Sequence, residues 1–330
     1  MTLVVREEDV RAVLTMPDVV DVLDAAFRRE AAGEAENRPR SRIVLPGGRG
    51  VLHVLSGYVP GQPGHPDVEG PGLVGLKTYT ASSAGVRFVV LLSSAEDGRL
   101  LAIIEADWLG QMRTGAASGV AARYMARQNA RVVGLLGTGG QARTQLLALY
   151  AVRPIERFLV YGRDESRRRA FCDEMAERTG VAVEPATSAE AAVRPADIVV
   201  TATTAREPIV YGAWLRPGTH INAMGSNWHN RREVDDETVE RSAIVAVDAL
   251  DQARMEAGDL MIPAEAGFFS FDRAVELSKI VAGQTPGRTS EQQITLFKSL
   301  GIGLEDVATA GRVYELARER GLGQELDLVP

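Results

Sequence analysis

Three kinds of residue in this 330-residue chain have types and spacings that suit chemistry: glycines grouped in one turn, cations set among apolar or small residues, and hydroxyls at the ends of apolar runs. The glycines lie in LLGTGGQA, with Gly137, Thr138, Gly139 and Gly140 following the apolar run Val132–Leu136. After them Gln141, Ala142, Leu146, Leu147 and Leu149 repeat at helical spacing. Strand, glycine turn and helix in that order form the phosphate cradle of a dinucleotide fold. Gly137 permits the tight turn, Gly139 lets the backbone approach a pyrophosphate, and Ala142 allows close helix–strand packing. The helix N-terminus supplies amide donors and the positive end of its dipole.

The cations are Lys77, Arg113, Arg40 and Arg42. Lys77 sits between Leu76 and Tyr79 in GLKTYT, where burying its charge is expensive unless it meets an anion. The competing reading is an edge strand with the ammonium in water. Arg113, followed by Thr114, stands between Gly110 and the small residues Gly115, Ala116, Ala117, Ser118 and Gly119. Small residues admit a ligand or a second backbone, and an arginine beside them can fork onto a carboxylate. A plain surface arginine fits the same pattern. Arg40 and Arg42 alternate on one face of a strand, where solvation is the ordinary fate of arginine. Together these cations suit a small carboxylate, if the fold brings them together.

The elements that would position them follow from pattern. A second strand, Arg157–Tyr161, ends about twenty residues after the glycine turn, where a ribose contact belongs. A helix over 166–178, a strand at 181–183 and a strand at 197–201 continue the alternation of a parallel, doubly wound sheet. Before the turn the chain is strand-rich: 40–45, 51–55 and 73–79 read as strands, and 88–92 with 100–104 as a hairpin around Asp97-Gly98. Residues 62–72, rich in glycine and proline, read as a loop. Thr15-Met16-Pro17 opens a helix with Val19, Val20, Leu23 and Phe27 on one face, and a helix over 107–127 leads into the glycine turn. The expected fold is α/β: a Rossmann-type domain over 128–304, and a strand-rich α+β substrate-binding and dimerisation domain. The latter is discontinuous, 1–127 together with 305–330, because the helix over 304–318 is expected to cross back onto the first strands.

Composition narrows the function. A net charge of −7 without a clustered basic patch argues against nucleic acid, and no apolar run is long enough for a membrane span. No signal-peptide pattern opens the chain, which points to the cytoplasm. The single cysteine, Cys172, falls in a helical pattern and reads as packing; the four histidines lack metal-ligand spacing, so no metal is expected.

GLKTYT, QMRTGAASGVAARYMAR, GTGGQA, GTHINAMGSNWHNRREVDDE, EAGDL and GRTSEQQITLFKSLGIGLEDVA occur in an order that resembles the ornithine cyclodeaminase / mu-crystallin family over nearly the whole chain. The resemblance implies a homodimer performing hydride chemistry at the α-carbon of an amino or imino acid. It implies that Lys77 and Arg113 bind the substrate carboxylate with a preceding strand arginine, for which spacing favours Arg42 over Arg40. Lys77 is also the best candidate to donate a proton near the reacting nitrogen.

Two departures qualify this. Where true ornithine cyclodeaminases carry an aspartate, this chain has Asn227, an amide unable to act as a base. That favours a ketimine or cyclic imine reductase, or an amino-acid dehydrogenase such as alanine dehydrogenase, over a cyclodeaminase, which stands as the alternative. A non-catalytic protein that sequesters reduced cofactor is a third reading. The second departure is at the ribose: the second strand ends in Gly162 and Arg163 instead of an acid, with Arg167 one turn on. NADP(H) is therefore expected in preference to NAD(H), with Asp164 a helix cap. Thr201 and Thr203 should line the nicotinamide side, with Met224, Gly225 and Ser226 closing over the ring. With these, the expected cofactor contacts are Thr114, residues 137–142, Gly162, Arg163 and Arg167. Glu256 to Asp259 reads as a helix end.

Overall fold

A computed structural model describes residues 1–61, 72–82 and 85–328. The chain divides into two compact units, Met1–Arg113 with Gly301–Pro330, and Thr114–Leu300. The first division falls inside the helix Asp107–Met125, ahead of the boundary read from the sequence at residue 127. The reason is local. Arg113 is ion-paired to Glu305 and Asp306, whereas a Cβ on Gly115 would stand 2.5 Å from the Thr144 carbonyl oxygen.

The first unit is built on a mixed sheet. Its strands are β1 (Thr2–Val5), β2 (Glu36–Val44), β3 (Gly50–Val59), β4 (Leu73–Ser82), β5 (Gly85–Ser94) and β6 (Leu100–Glu105). From β2 to β6 each strand pairs antiparallel with the next; β1 then lies parallel to β6, and Gln324–Leu326 closes the far edge. β4, the Lys77 strand, is therefore interior, between β3 and β5. The loop expected over 62–72 lies, save Gly72, outside the described residues.

Thr15 caps the helix Met16–Ala31 by accepting from the Asp18 amide, with Pro17 in the first turn, and its apolar face buries Val19, Val20, Leu23 and Phe27. The helix Gly303–Glu319 packs on β2 to β5, as the sequence pattern anticipated. A Cβ on Gly303 would sit 2.3 Å from the Ser56 carbonyl oxygen, so glycine is what lets this helix start hard against β3.

The second unit holds eight parallel strands among the described residues: β7 (Val132–Leu136), β8 (Arg157–Tyr161), β9 (Ala182–Pro185), β10 (Ile198–Thr201), β11 (His220–Ala223), β12 (Ser242–Val247), β13 (Ala274–Glu276) and β14 (Ile294–Lys298). The order is β13-β12-β14-β11-β10-β7-β8-β9. Strand residues alternate between two cores: Val133, Leu135, Phe158 and Val200 pack on one face, Leu136, Val199, Ile221 and Leu296 on the other. Burial on both faces is why these strands read as continuous apolar runs. The order reverses between β7 and β10, which is the switch point where doubly wound sheets bind ligands.

Candidate active site

Lys77 is 2% exposed; its cross-strand neighbours Leu55 and Val90 are fully buried, so it is no edge residue. Its Nζ donates to Asp306 Oδ1 at 2.6 Å. The same oxygen accepts from Arg113 Nε at 2.8 Å, and Arg113 Nη1 donates to Glu305 Oε2 at 2.9 Å. Both carboxylates lie in the first turn of the Gly303–Glu319 helix, which favours negative charge through its dipole. Burial works against the Arg113 charge, but Asp306 and Glu305 outweigh it and hold its pKa above that of ordinary arginine. For Lys77 the balance falls the other way. Burial, with repulsion from Arg113 and Arg40, outweighs Asp306 and pulls the pKa down to about 7.

Arg40 joins this group. Buried at 5% exposure, it donates to the Tyr79 hydroxyl at 2.9 Å and to the Gly301 carbonyl at 2.9 Å. Gly301 has φ of 74°, and a Cβ on it would lie 2.2 Å from Arg113 Nη1. One glycine thus meets two arginines, one through its carbonyl and one across its bare Cα. Arg42, the arginine favoured by spacing, is half-buried and stands in register with His53. A register shift between Arg38 and Ser41 separates the two cases, and a bulge of this kind leaves no mark in residue spacing. His53 stacks on Tyr79 with ring centroids 4.4 Å apart; burial, then Arg40, Arg42 and Lys77, depress its pKa to about 4, so it is neutral.

In the second unit a cavity of about 1220 Å³ opens at the switch point. The ends of β7, β8 and β10 line it, through Gly137, Thr138, Gly139, Gly162, Arg163, Asp164, Arg167 and Thr203 among others. Gly137 has φ of 121°, and a Cβ there would meet the Ala202 carbonyl at 2.2 Å, so the turn itself needs this glycine. Gly139 is different. Its φ is −86° and nothing lies within 4 Å of the place a Cβ would take. No internal contact asks for glycine at this N-cap, but a pyrophosphate lying on the Gly140–Val152 helix would. The residues present fit a dinucleotide.

The other expected contacts distribute as follows. Ala142 is buried in the core, the packing place expected of it, and Gln141 and Gly140 occupy the first helical turn. At Gly162 a Cβ would stand 3.0 Å from Thr138 Cγ2, so its missing side chain accommodates Thr138. Asp164 accepts from the Arg167 amide at 2.9 Å as a helix cap. Arg163 and Arg167 are exposed at the cavity wall. The Thr114 carbonyl accepts from Gln145 Nε2 at 3.1 Å, and Met224 and Asn227 are half-buried.

Sequence reading missed the carboxylates that hold these loops. Glu233, fully buried, accepts from Thr201 Oγ1 at 2.6 Å, Thr203 N at 2.9 Å, Thr203 Oγ1 at 2.7 Å and Gly225 N at 2.7 Å. Both threonine hydroxyls are thus turned onto a protein carboxylate, which ties the end of β10 to the Gly225 segment. Burial and Asp259 raise the Glu233 pKa against Lys298 and the threonines. Lys298 Nζ donates to the Ser226 carbonyl at 2.5 Å and pairs with Asp259 at 2.9 Å. Asp259 also accepts from the Glu233 and Val234 amides, so it does more than end a helix. Arg143, likewise unforeseen, donates to the Gly139 carbonyl at 3.2 Å and braces the turn. An acid beside apolar residues in REVDDE was the one available signal for Glu233; GLEDVA looked like ordinary helix-start acidity.

A doubly wound parallel sheet with a glycine turn at its switch point, joined to a strand-rich unit with buried cations, defines a dinucleotide-fold protein of two units. The chain belongs to the ornithine cyclodeaminase/mu-crystallin family, whose model matches residues 1–321. It is 37% identical over 267 residues to the Δ1-pyrroline-2-carboxylate reductase of Bacillus cereus, covering 78% of this chain and 82% of that protein. To the alanine dehydrogenase of Archaeoglobus fulgidus it is 34% identical over 334 residues, 98% of each. The solved structure of Thermococcus litoralis Δ1-pyrroline-2-carboxylate reductase, with NADH and L-proline, superposes with a TM-score of 0.91 at 35% identity, over 98% of this chain and 100% of that one.

Proposed function

We propose that this protein is a nicotinamide-dependent oxidoreductase acting at the α-carbon of a small imino or amino acid. In the reductive direction it converts the C=N bond of an α-imino acid to the amine. The observation that carries the reading is the buried Lys77 beside Arg113, both paired to Asp306, in a chain of this family. The bound dinucleotide supplies or accepts the hydride. Lys77 and Arg113 hold the carboxylate, with Arg40 completing the set in place of Arg42. Fixing the carboxylate fixes the α-carbon, and positioning of this kind is a large part of catalysis. As the hydride adds to carbon, nitrogen takes up a proton, and a lysine with a pKa of about 7 is suited to release one at neutral pH. Asn227 carries no charge for a side-chain amine, which counts against ring closure of a diamino acid.

The preferred cofactor is NADPH. Arg163 and Arg167 reach the cavity wall, no acid occupies the strand end, and Asp164 is committed to capping its helix. A charge-assisted contact to a 2′-phosphate is worth ~1.5–3 kcal/mol. The exposed Ile43 and Val44 at the edge strand β2 suit a homodimer through the strand-rich unit.

The test is turnover of cyclic and linear imino acids with both cofactors, in wild type and Arg163→Ala. Steady NADPH oxidation with an imino acid supports the reading. Ammonia release from ornithine without net cofactor change overturns it, and an NADPH preference that survives loss of Arg163 removes that residue from the explanation.

A further inference from the structure

At the C-terminal ends of the parallel strands in the second unit, three buried charges hold the chain together. Glu233 is fully buried, and each of its oxygens accepts twice. Oε1 takes the Thr203 amide at 2.9 Å and the Thr203 hydroxyl at 2.7 Å; Oε2 takes the Gly225 amide at 2.7 Å and the Thr201 hydroxyl at 2.6 Å. Thr201 ends β10, and Gly225 follows the end of β11 at Ala223. A Cβ on Gly225 would stand 2.3 Å from Glu233 Oε1 and 2.5 Å from the Thr203 carbonyl oxygen, so this glycine admits the carboxylate. Behind it Asp259 accepts from the Glu233 and Val234 amides and pairs with Lys298, the last residue of β14, whose Nζ donates to the Ser226 carbonyl. The donors around Glu233 specify a carboxylate. Each oxygen faces one hydroxyl, which can reorient, and one backbone amide, which cannot. A glutamine there would set its NH2 against an amide N–H in either orientation. Burying such charges is expensive, and apolar packing often serves stability as well.

We propose that Glu233 is a positioning residue for the nicotinamide half of the dinucleotide: it fixes Thr203 and Gly225, the backbone that faces the ring. The inference rests on the nicotinamide-dependent reading above. A pyrophosphate on the glycine turn sits at the end of β7, with β8 on one side of it and β10 on the other. Arg163 and Arg167 at the end of β8 suit the adenosine phosphate, which leaves β10 and, beyond it, β11 for the ring. Thr203 lines the cavity there, while its hydroxyl is turned onto Glu233. Glu233 has no exposed surface and acts through the backbone it ties.

The experiment compares wild type with Glu233→Gln and Thr203→Val and reads binding by calorimetry, without turnover. Each reduced cofactor is set against the fragment that lacks its nicotinamide: NADPH against 2′-phospho-ADP-ribose, NADH against ADP-ribose. In Glu233→Gln the affinity for the whole cofactor should fall about tenfold or more, while that for the fragment stays within about twofold. Thr203→Val keeps the carboxylate and removes one hydroxyl, so the same selective loss should be smaller, about threefold. That variant decides the matter if Glu233→Gln does not fold. Equal losses for cofactor and fragment overturn the proposal, because they would make Glu233 a support of the whole unit; so does unchanged affinity in both variants. A wild type that binds the fragment as tightly as the cofactor also overturns it and leaves the dinucleotide site standing, whereas a wild type that binds neither removes the nicotinamide-dependent reading itself.

Discussion

The glycine turn and the cation group each suit an anion in the proposed function, and they use opposite materials. At the turn, residues 137–140 are contiguous, the first three line the cavity, and they offer backbone amides and a helix dipole. In the cation group, Lys77, Arg113 and Arg40 come from two strands and a helix far apart in sequence and are buried, and Lys77 and Arg113 are ion-paired to Glu305 and Asp306. Backbone amides survive every substitution but proline and carry no net charge to desolvate. Buried side-chain charges can be lost, and each one removed strands its partner. Damage at the turn should therefore be functional and local; damage in the cation group should also reach stability.

The largest effect expected is in the cation group. Arg113→Ala leaves two fully buried carboxylates short of a partner, and breaking such a pair costs ~3–5 kcal/mol. Urea unfolding should show that loss for Arg113→Ala and little change for Gly139→Val, whose new side chain enters open space at an ordinary φ. Equal shifts in the two variants would break the comparison.

Next in size is the cofactor. Gly139→Val should lower NADPH affinity about a hundredfold or more, roughly 2.7 kcal/mol, because the side chain occupies the pyrophosphate's place. Gly137→Ala should instead lower the melting midpoint, since its Cβ meets the Ala202 carbonyl. Calorimetry and melting on the same pair sharpen the distinction between a glycine kept for a ligand and one kept for the turn.

A smaller effect is read in pH. Lysine is charged below its pKa, and that of Lys77 lies near 7. The substrate KM should therefore be low and flat below pH 7 and climb by about tenfold per unit above it. In Lys77→Met the KM should be high throughout and the slope absent. Asp306→Asn removes the charge that holds the proton on Lys77, so the rise should begin at lower pH. A slope unaffected by either substitution would assign the titration to another group.

The smallest concerns Asn227→Asp. A half-exposed carboxylate facing a side-chain amine is worth ~1 kcal/mol or less, so preference for ornithine over norvaline should rise only about fivefold. No change in that ratio would leave Asn227 without a part in selection.

Much of the fold could be read from residue pattern because its signals are local. Val132–Leu136, GTGG and the leucines after it state strand, turn and helix within one short stretch, and the phosphate cradle follows from their order. Lys77 and Arg113 stood out for the same reason: a charge among apolar or small neighbours is visible in one dimension. Which charges meet is a different kind of information. Asp306 lies far from Lys77 along the chain, and only the approach of the Gly303 helix to β3 brings it within 2.6 Å. The register shift beside Arg40 and the threonine hydroxyls turned onto Glu233 are likewise matters of register and close approach. Local sequence determined the elements and singled out Lys77 and Arg113, because propensity and periodicity act over a few residues. Tertiary packing decided their partners and their proton affinities, because burial and Coulomb energy depend on distances that no spacing in the sequence contains.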